Sequence, residues 1–376
     1  MRIAVNTRLL LPGKLEGIGW FAFETLKRIT KGNPQHEFIF LFDRPWSDDF
    51  VFSDNVTPLE VKPPARHPLL WYTWLEYSLP GVLKQCGAEL FLSPDGYISL
   101  SSGVPSVAVI HDINFMHRPD FHPFLTRKYY RRYFPRFASA AKRIVTVSDY
   151  SRSDIIRTFG VPPGKVDVVY NGAGQDFYPL NGEDKGKVRD EVAGGKDYFL
   201  FVGSFHRRKN ITGLLRAYDL FRERNRHNIR LVLAGERMYG YPEMQRTISR
   251  MAHSNDVLFT GYKDPSQLRQ IYGAALGLVY IPLFEGFGIP LIEAMNCDTP
   301  VIASNNTSIP EVTGDAAHLV DPESAGSVAE AMEKLATDMN YRNMLVERGR
   351  ERRKLFSWER TAKLLWESVE KTMQEI

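Results

Sequence analysis

The chain has 376 residues, 43% of them hydrophobic and 24% charged, with a formal net charge of +4 at pH 7. That length exceeds what one hydrophobic core normally organises, so two domains are expected, and the composition excludes extended disorder. The small net charge gives no ground for a nucleic-acid partner, and no apolar run approaches the length needed to span a bilayer.

The first residues, Arg2-Ile3-Ala4-Val5-Asn6, read as a strand and not as a secretory leader. The two cysteines, Cys86 and Cys297, stand far apart in no disulfide or metal spacing, so a cytoplasmic, reducing location is expected. Further strands are expected at 37–42, 89–93, 106–110, 143–147 and 166–170, with helical patterns between several of them. This alternation implies a mostly parallel sheet covered by helices. Between the first strand and a helix at 20–29 runs a loop, 11–19, that carries Gly17 and Gly19. Between Arg127 and Arg143 lie seven basic residues and no acidic one. On a helical projection Arg127, Lys128, Arg131 and Arg132 share one face and Tyr129, Tyr130, Tyr133, Phe134 and Phe137 the other. This segment, 124–137, is read either as a solvated basic face over an aromatic core stripe or as a peripheral contact with an anionic membrane.

The pattern breaks at Asn171-Gly172-Ala173-Gly174, and a polar stretch continues to about 196. A second series of strands follows at 198–202, 230–234, 257–260, 276–281 and 300–303. The expected organisation is a Rossmann-like domain over 1–175, a second over 176–356, and a carboxyl-terminal helix over 357–376. Two such halves leave a cleft at the carboxyl ends of their strands, where open α/β sheets bind ligands.

The most informative segment is Pro282-Leu283-Phe284-Glu285-Gly286-Phe287-Gly288-Ile289-Pro290-Leu291-Ile292-Glu293. It follows a buried strand, and Pro290 suits the first position of a helix. Gly286 and Gly288 allow close backbone approach, and the helix start favours an anion such as a diphosphate. Glu285 and Glu293, with seven residues between them, resemble the paired glutamates of the retaining glycosyltransferases of family 4. The similarity continues through Thr299-Pro300-Val301-Ile302-Ala303-Ser304, Ile309-Pro310-Glu311-Val312 and Val320-Asp321-Pro322, and more weakly through the first half.

The resemblance implies a GT-B fold, two Rossmann-like domains facing across a cleft, with the last helix packing back on the first domain. It implies transfer of a hexose, with retention, from a nucleoside diphosphate sugar to a saccharide or lipid-linked saccharide. Glu293 then suits bidentate acceptance from the ribose hydroxyls, while Glu285, Gly286, Phe287 and Gly288 lie at the donor sugar and phosphate. The segment Gly203-Ser204-Phe205-His206-Arg207-Arg208-Lys209-Asn210 follows a strand, and Arg208 and Lys209 resemble the family's diphosphate-holding pair. Many members carry an arginine directly after the glycine, where Ser204 stands here; this leaves the choice between Arg207 and Arg208 open. His111 and Asp112, at the end of a strand, resemble the family's His-Asp element. His111 would donate a hydrogen bond to a donor-sugar hydroxyl, and Asp112 would orient it or the acceptor. Gly17 and Gly19 resemble the family's glycine loop at the diphosphate. Nucleobase recognition is expected of Gly235-Glu236 and Gly261-Tyr262-Lys263, and Ser148 is read as a helix N-cap.

No Asp-x-Asp and no histidine or cysteine cluster with metal spacing occurs, so a metal-independent enzyme without cofactor is expected. The Arg-Lys-Asn run resembles bacterial mannosyltransferases of surface-polysaccharide synthesis, which favours GDP-mannose as donor. The alternatives are a sugar-nucleotide epimerase of the same fold and a non-enzymatic two-lobed sugar-binding protein.

Overall fold

The computed structural model describes residues 1–13, 15–224, 227–236 and 241–376. Two compact units are present, one of Met1–Asn171 together with Trp358–Ile376 and one of Gly172–Ser357.

The described residues of the first unit form a seven-stranded parallel sheet: β1 (Arg2–Asn6), β2 (Glu37–Phe42), β3 (Val56–Glu60), β4 (Leu90–Ser93), β5 (Ser106–Val109), β6 (Arg143–Thr146) and β7 (Val166–Val168). Their spatial order is β3-β2-β1-β4-β5-β6-β7. The order reverses between β1 and β4, and such a switch point opens a crevice at the carboxyl ends of the two strands. Inner strands such as β4, β5 and β6 are buried throughout, as a parallel sheet covered on both faces requires. The edge strand β3, which the sequence reading omits, alternates in burial and contains Pro58, so it offers no continuous apolar run.

The helix Phe124–Ala140 buries Tyr129, Phe134, Phe137 and Ala138 against this sheet's core. The last helix, Trp358–Gln374, belongs to the first unit and buries Ala362, Leu365, Trp366 and Val369. It is held by Thr361, whose hydroxyl donates to the Tyr170 carbonyl at 2.7 Å, and by Glu375, paired with Arg143 at 2.6 Å.

The second unit's described residues form a six-stranded parallel sheet of β8 (Tyr198–Val202), β9 (Arg230–Ala234), β10 (Val257–Gly261), β11 (Gly277–Tyr280), β12 (Val301–Ser304) and β13 (Ala317–Val320). The order is β10-β9-β8-β11-β12-β13, so here the switch point lies between β8 and β11. Where the sequence reading expects a polar linker, the helix Gly182–Ala193 forms instead. Asn181 caps it by accepting from the Asp184 N–H at 2.8 Å, and Gly194 ends it in a left-handed conformation, φ 57°. It buries only Val188 and Ala193, which is why no apolar periodicity announces it.

The carboxyl ends of β8, β9 and β10 are knitted by glycine. The Gly203 N–H donates to the Ala234 carbonyl at 2.9 Å and the Gly235 N–H to the Gly261 carbonyl at 3.0 Å. At Gly235, φ is 152° and a Cβ would stand 2.0 Å from the Gly203 carbonyl oxygen. Gly235→Ala must therefore push two strand ends apart, and we expect a loss of about 3 kcal/mol of stability, read from denaturant midpoints.

Candidate active site

In the second unit, both elements that flank the switch point carry charge. After β8 the chain forms a 3-10 turn, Arg207–Lys209, capped by His206, whose Nδ1 accepts from the Arg208 N–H at 3.1 Å. Asn210 closes the turn in the left-handed region, φ 56°, and its side-chain amide donates to the Pro322 carbonyl at 2.7 Å. This turn directs Lys209 inward, where it is buried, and places Arg208 beside it. Arg207 points elsewhere and pairs with Glu243 at 3.3 Å. The geometry thus separates the two arginines that the sequence leaves equivalent.

After β11 the chain runs through Glu285 to the helix Ile289–Asn296, which starts at Pro290 behind Gly288, φ 98°. The two loops are tied together: the Leu283 N–H donates to the Arg208 carbonyl at 2.9 Å, and the Ser308 hydroxyl donates to the Glu285 carbonyl at 2.8 Å. Three donors converge on Glu285 Oε2: Arg208 Nη1 at 2.6 Å, Lys209 Nζ at 2.6 Å and the Tyr280 hydroxyl at 2.9 Å. Burial alone would raise this carboxyl, but the Arg208 and Lys209 charges outweigh it and hold the pKa down at about 2.

Glu293 lies in the helix, a little over one turn beyond the loop. Its Oε2 accepts from the Tyr272 hydroxyl at 2.8 Å. Burial pushes its pKa up to about 7, and the Tyr272 bond only partly opposes this. The two glutamates of one motif therefore hold opposite protonation tendencies, because both are buried and only Glu285 faces cations that outweigh the burial.

In the first unit, His111 follows β5. Its Nε2 lies 2.9 Å from the Pro94 carbonyl, which can only accept, so Nε2 carries the proton. Burial lowers the ring's pKa, with the Pro94 bond opposing, and the neutral ring then presents Nδ1 as an acceptor. The sequence reading expects His111 to donate; with its Nε2–H engaged by Pro94, the neutral ring offers an acceptor, Nδ1, for any further hydrogen bond. Asp112 does not orient His111 by a hydrogen bond among the described residues. Its Oδ1 instead accepts from the Asn114 N–H at 2.9 Å and side-chain amide at 2.5 Å, closing a turn that leads into the short helix Asn114–His117.

Gly17 and Gly19 do not lie in the loop before the helix. The helix runs Gly17–Gly32 and so begins at Gly17, three residues earlier than expected; Lys14 of the preceding loop lies outside the described residues. A Cβ at Gly19 would meet the Leu9 carbonyl at 2.9 Å, so this glycine lets the chain before the helix pack onto its first turn. Ser148 caps the helix Asp149–Phe159 by accepting from the Ser151 N–H at 3.1 Å, and Phe287 is buried against Phe356.

The sequence reading misses a buried pair at the switch point of the first sheet. Arg8 Nη2 and Asp95 Oδ2 are 2.8 Å apart, both almost fully buried, and Asp95 Oδ1 accepts from the Asn6 amide at 2.6 Å and the Ser93 hydroxyl at 2.9 Å. The guanidinium lies 5.1 Å from the Trp74 ring centroid and 4.7 Å from that of Tyr97. These bonds fix the turn that presents the Pro94 carbonyl to His111. Arg8 and Asp95 each stand two residues beyond a strand end, a position that could have flagged them.

Residues 184–352 match the family model of glycosyl transferases group 1, and residues 16–175 match that of Glycosyltransferase Family 4. An O-antigen chain mannosyltransferase B from Escherichia coli is 33% identical over 255 residues, which span 68% of this chain and 67% of that protein. A longer serotype-specific mannosyltransferase from Escherichia coli is 26% identical over 283 residues, 72% of this chain and 34% of that protein. The solved structure of a sucrose-phosphate synthase from Thermosynechococcus elongatus superposes with a TM-score of 0.80 at 18% identity, covering 100% of both chains. That likeness defines the class of the fold as GT-B, two Rossmann-like units each with its own parallel sheet. The chain belongs to glycosyltransferase family 4, and it is a glycosyltransferase that uses a nucleotide sugar.

Glu293 gives this site a pH signature. Its folded pKa of about 7 lies above the ordinary 4.5, so the folded protein holds a proton there that the unfolded chain has already released. Stability from this group is fully present below about pH 4.5, is lost progressively as pH rises from there through about 7, and levels off above it. Between pH 6 and 8 the wild type should lose about 1 kcal/mol more than Glu293→Gln, measured by denaturant unfolding at each pH.

Proposed function

We propose that this glycosyltransferase moves mannose, with retention, from GDP-mannose to a saccharide or lipid-linked saccharide in surface-polysaccharide synthesis. The observation that carries the reading is the Glu285 cluster, in which two cations flank one ionised carboxylate at the mouth of a switch point. The mannosyltransferase names of its relatives support the sugar.

In this reading Arg208 and Lys209, with the backbone at Gly286 and Gly288, hold the diphosphate, and Glu293 accepts from the ribose hydroxyls once ionised. Gly17 and Gly19 add N–H groups of a helix start for the phosphates. Glu285 contacts the donor sugar and stabilises positive charge that develops at the anomeric carbon. The bond from that carbon to the phosphate oxygen breaks, its electron pair leaving with the phosphate. The acceptor hydroxyl oxygen bonds to the same face of the carbon, and its proton passes to the departing phosphate oxygen. His111 takes a sugar hydroxyl at Nδ1, and Asp112 holds the chain beside it through the Asn114 turn. The positive charge of Arg208 and Lys209 does the work that a divalent cation does elsewhere, so we propose that the reaction needs no metal or other cofactor. The basic helix Phe124–Ala140 would bring the enzyme to anionic lipid at the cytoplasmic face of a membrane. Among the described residues no helix is long and apolar enough to cross one.

The test is a thermal-shift screen with GDP, UDP, ADP and their sugars, followed by transfer assays with and without chelator. GDP and GDP-mannose should stabilise the native state and the others should not; stabilisation by UDP alone would overturn the donor, and loss of transfer in EDTA restored by magnesium would overturn metal independence. Glu285→Gln should fold, keep nucleotide-induced stabilisation and lower kcat by about 100-fold or more, measured as single-turnover transfer.

A further inference from the structure

The basic helix Phe124–Ala140 is not alone on its surface. The short helix Pro68–Thr73, continued by the π-helical segment Trp74–Ser78, packs against it through aromatic rings. The Trp71 ring stacks parallel on Tyr130, centroids 5.6 Å apart, and meets Tyr129 edge-on at 5.3 Å. Tyr72 lies 5.8 Å from Tyr133 and 5.9 Å from Tyr77. The guanidinium groups of Arg132 and Arg136 reach within 6.0 Å and 5.9 Å of that same Tyr133 ring. Aromatic rings thus run without a break from the apolar element to the cationic one.

The exposed side chains of these two elements are unlike those of an ordinary surface. Leu69 is 71% exposed, Tyr77 70%, Phe124 64% and Leu125 52%, and Tyr72 and Leu70 are also exposed. Lys128, Arg131, Arg132 and Arg136 are exposed beside them. Acidic charge is scarce: the sequence has none between 124 and 143, and Glu76, the one acid between 66 and 77, accepts from the Leu100 N–H at 2.9 Å. Scattered exposed apolar residues are normal, but a cluster bordered by cations of one sign marks a binding face. Leucine and phenylalanine favour the acyl boundary, tyrosine the head-group level and lysine and arginine the phosphates, so the three side-chain types match the layers of a bilayer surface.

We propose that the first unit docks on an anionic bilayer through both elements together, with Leu69, Tyr72, Tyr77, Phe124 and Leu125 entering the interface while Lys128, Arg131 and Arg132 neutralise lipid phosphates. This rests on the peripheral contact proposed above for the basic helix and extends it, since charge alone gives salt-sensitive attraction and insertion gives a residence that salt does not erase. The stacked Trp71 and Tyr130 rings form the rigid base that holds the two elements at one level. None of the inserting side chains belongs to the Glu285 cluster or to the His111 turn.

The experiment is flotation of the full chain with vesicles of phosphatidylcholine, with and without phosphatidylglycerol, in low and high salt and without any sugar nucleotide. The wild type should float with the anionic vesicles, keep part of its binding in high salt, and stay with the soluble fraction when only phosphatidylcholine is present. Arg131→Glu/Arg132→Glu should weaken binding about tenfold or more at low salt. Leu69→Ser/Tyr77→Ser should abolish the salt-resistant part while leaving melting temperature unchanged. If that second pair binds as the wild type does, the two-element surface is overturned and only the basic helix remains; if the wild type fails to float, both are overturned. Because no turnover is read, neither result bears on the transferase reading, and failure of the nucleotide screen leaves the docking result standing.

Discussion

The second unit's site depends on a single carboxylate oxygen. Glu285 Oε2 receives Arg208, Lys209 and the Tyr280 hydroxyl, each within 2.9 Å, from the two loops on either side of the β8/β11 switch point. A buried carboxylate without these partners would take up a proton, and removing one partner of such a cluster costs roughly 3–5 kcal/mol. The bonds around the cluster serve this meeting. Asn210 accepts left-handed backbone geometry to turn Lys209 inward, and Leu283 and Ser308 tie the facing loop in place. An arrangement in which strain is accepted to bring charges together is what pre-organised electrostatics requires.

The first unit solves a similar problem with a different pair. Arg8 and Asp95 meet across the β1/β4 switch point, enclosed by Trp74 and Tyr97, and Asn6 and Ser93 satisfy the remaining carboxylate lone pairs. Such a pair adds little net stability, since desolvation offsets the attraction. Its effect is geometric: it fixes the turn that carries Pro94, and through the Pro94 carbonyl it selects which nitrogen of His111 is protonated. The ring is thereby committed to accepting at Nδ1 before any ligand arrives.

What the sequence makes legible follows from burial. The inner strands β4, β5, β8 and β11 are apolar along their length because both faces are covered, and they are readable as runs. The edge strand β3 and the weakly amphipathic helix Gly182–Ala193 lack that signal and escape it. The helix Gly17–Gly32 is read as starting late because glycine is a poor helix former, whereas Gly19 is set by the close approach of the Leu9 carbonyl, a tertiary fact. Glu285, Arg208 and Lys209 stand out by residue type at strand ends. The choice of Arg208 over Arg207 does not, because it is made by the turn that His206 and Asn210 close. Arg8 and Asp95 are 87 residues apart, and only the placement of β1 beside β4 makes them neighbours.

The spacing of Glu285 and Glu293 says less about their chemistry than their neighbours do. Seven intervening residues carry the chain from a loop among cations to a helix face among tyrosines, and the same functional group is then ionised in one place and poised near neutrality in the other. Arg208, Lys209 and Glu285 sum to one positive charge, so the cluster remains attractive to a diphosphate while the carboxylate keeps both cations in position. In the proposed reaction an arriving diphosphate shares those cations and weakens their hold on Glu285, which raises that carboxyl's pKa. In the proposed reaction the ion pairs thus hold in place the negative charge that a cationic sugar centre needs.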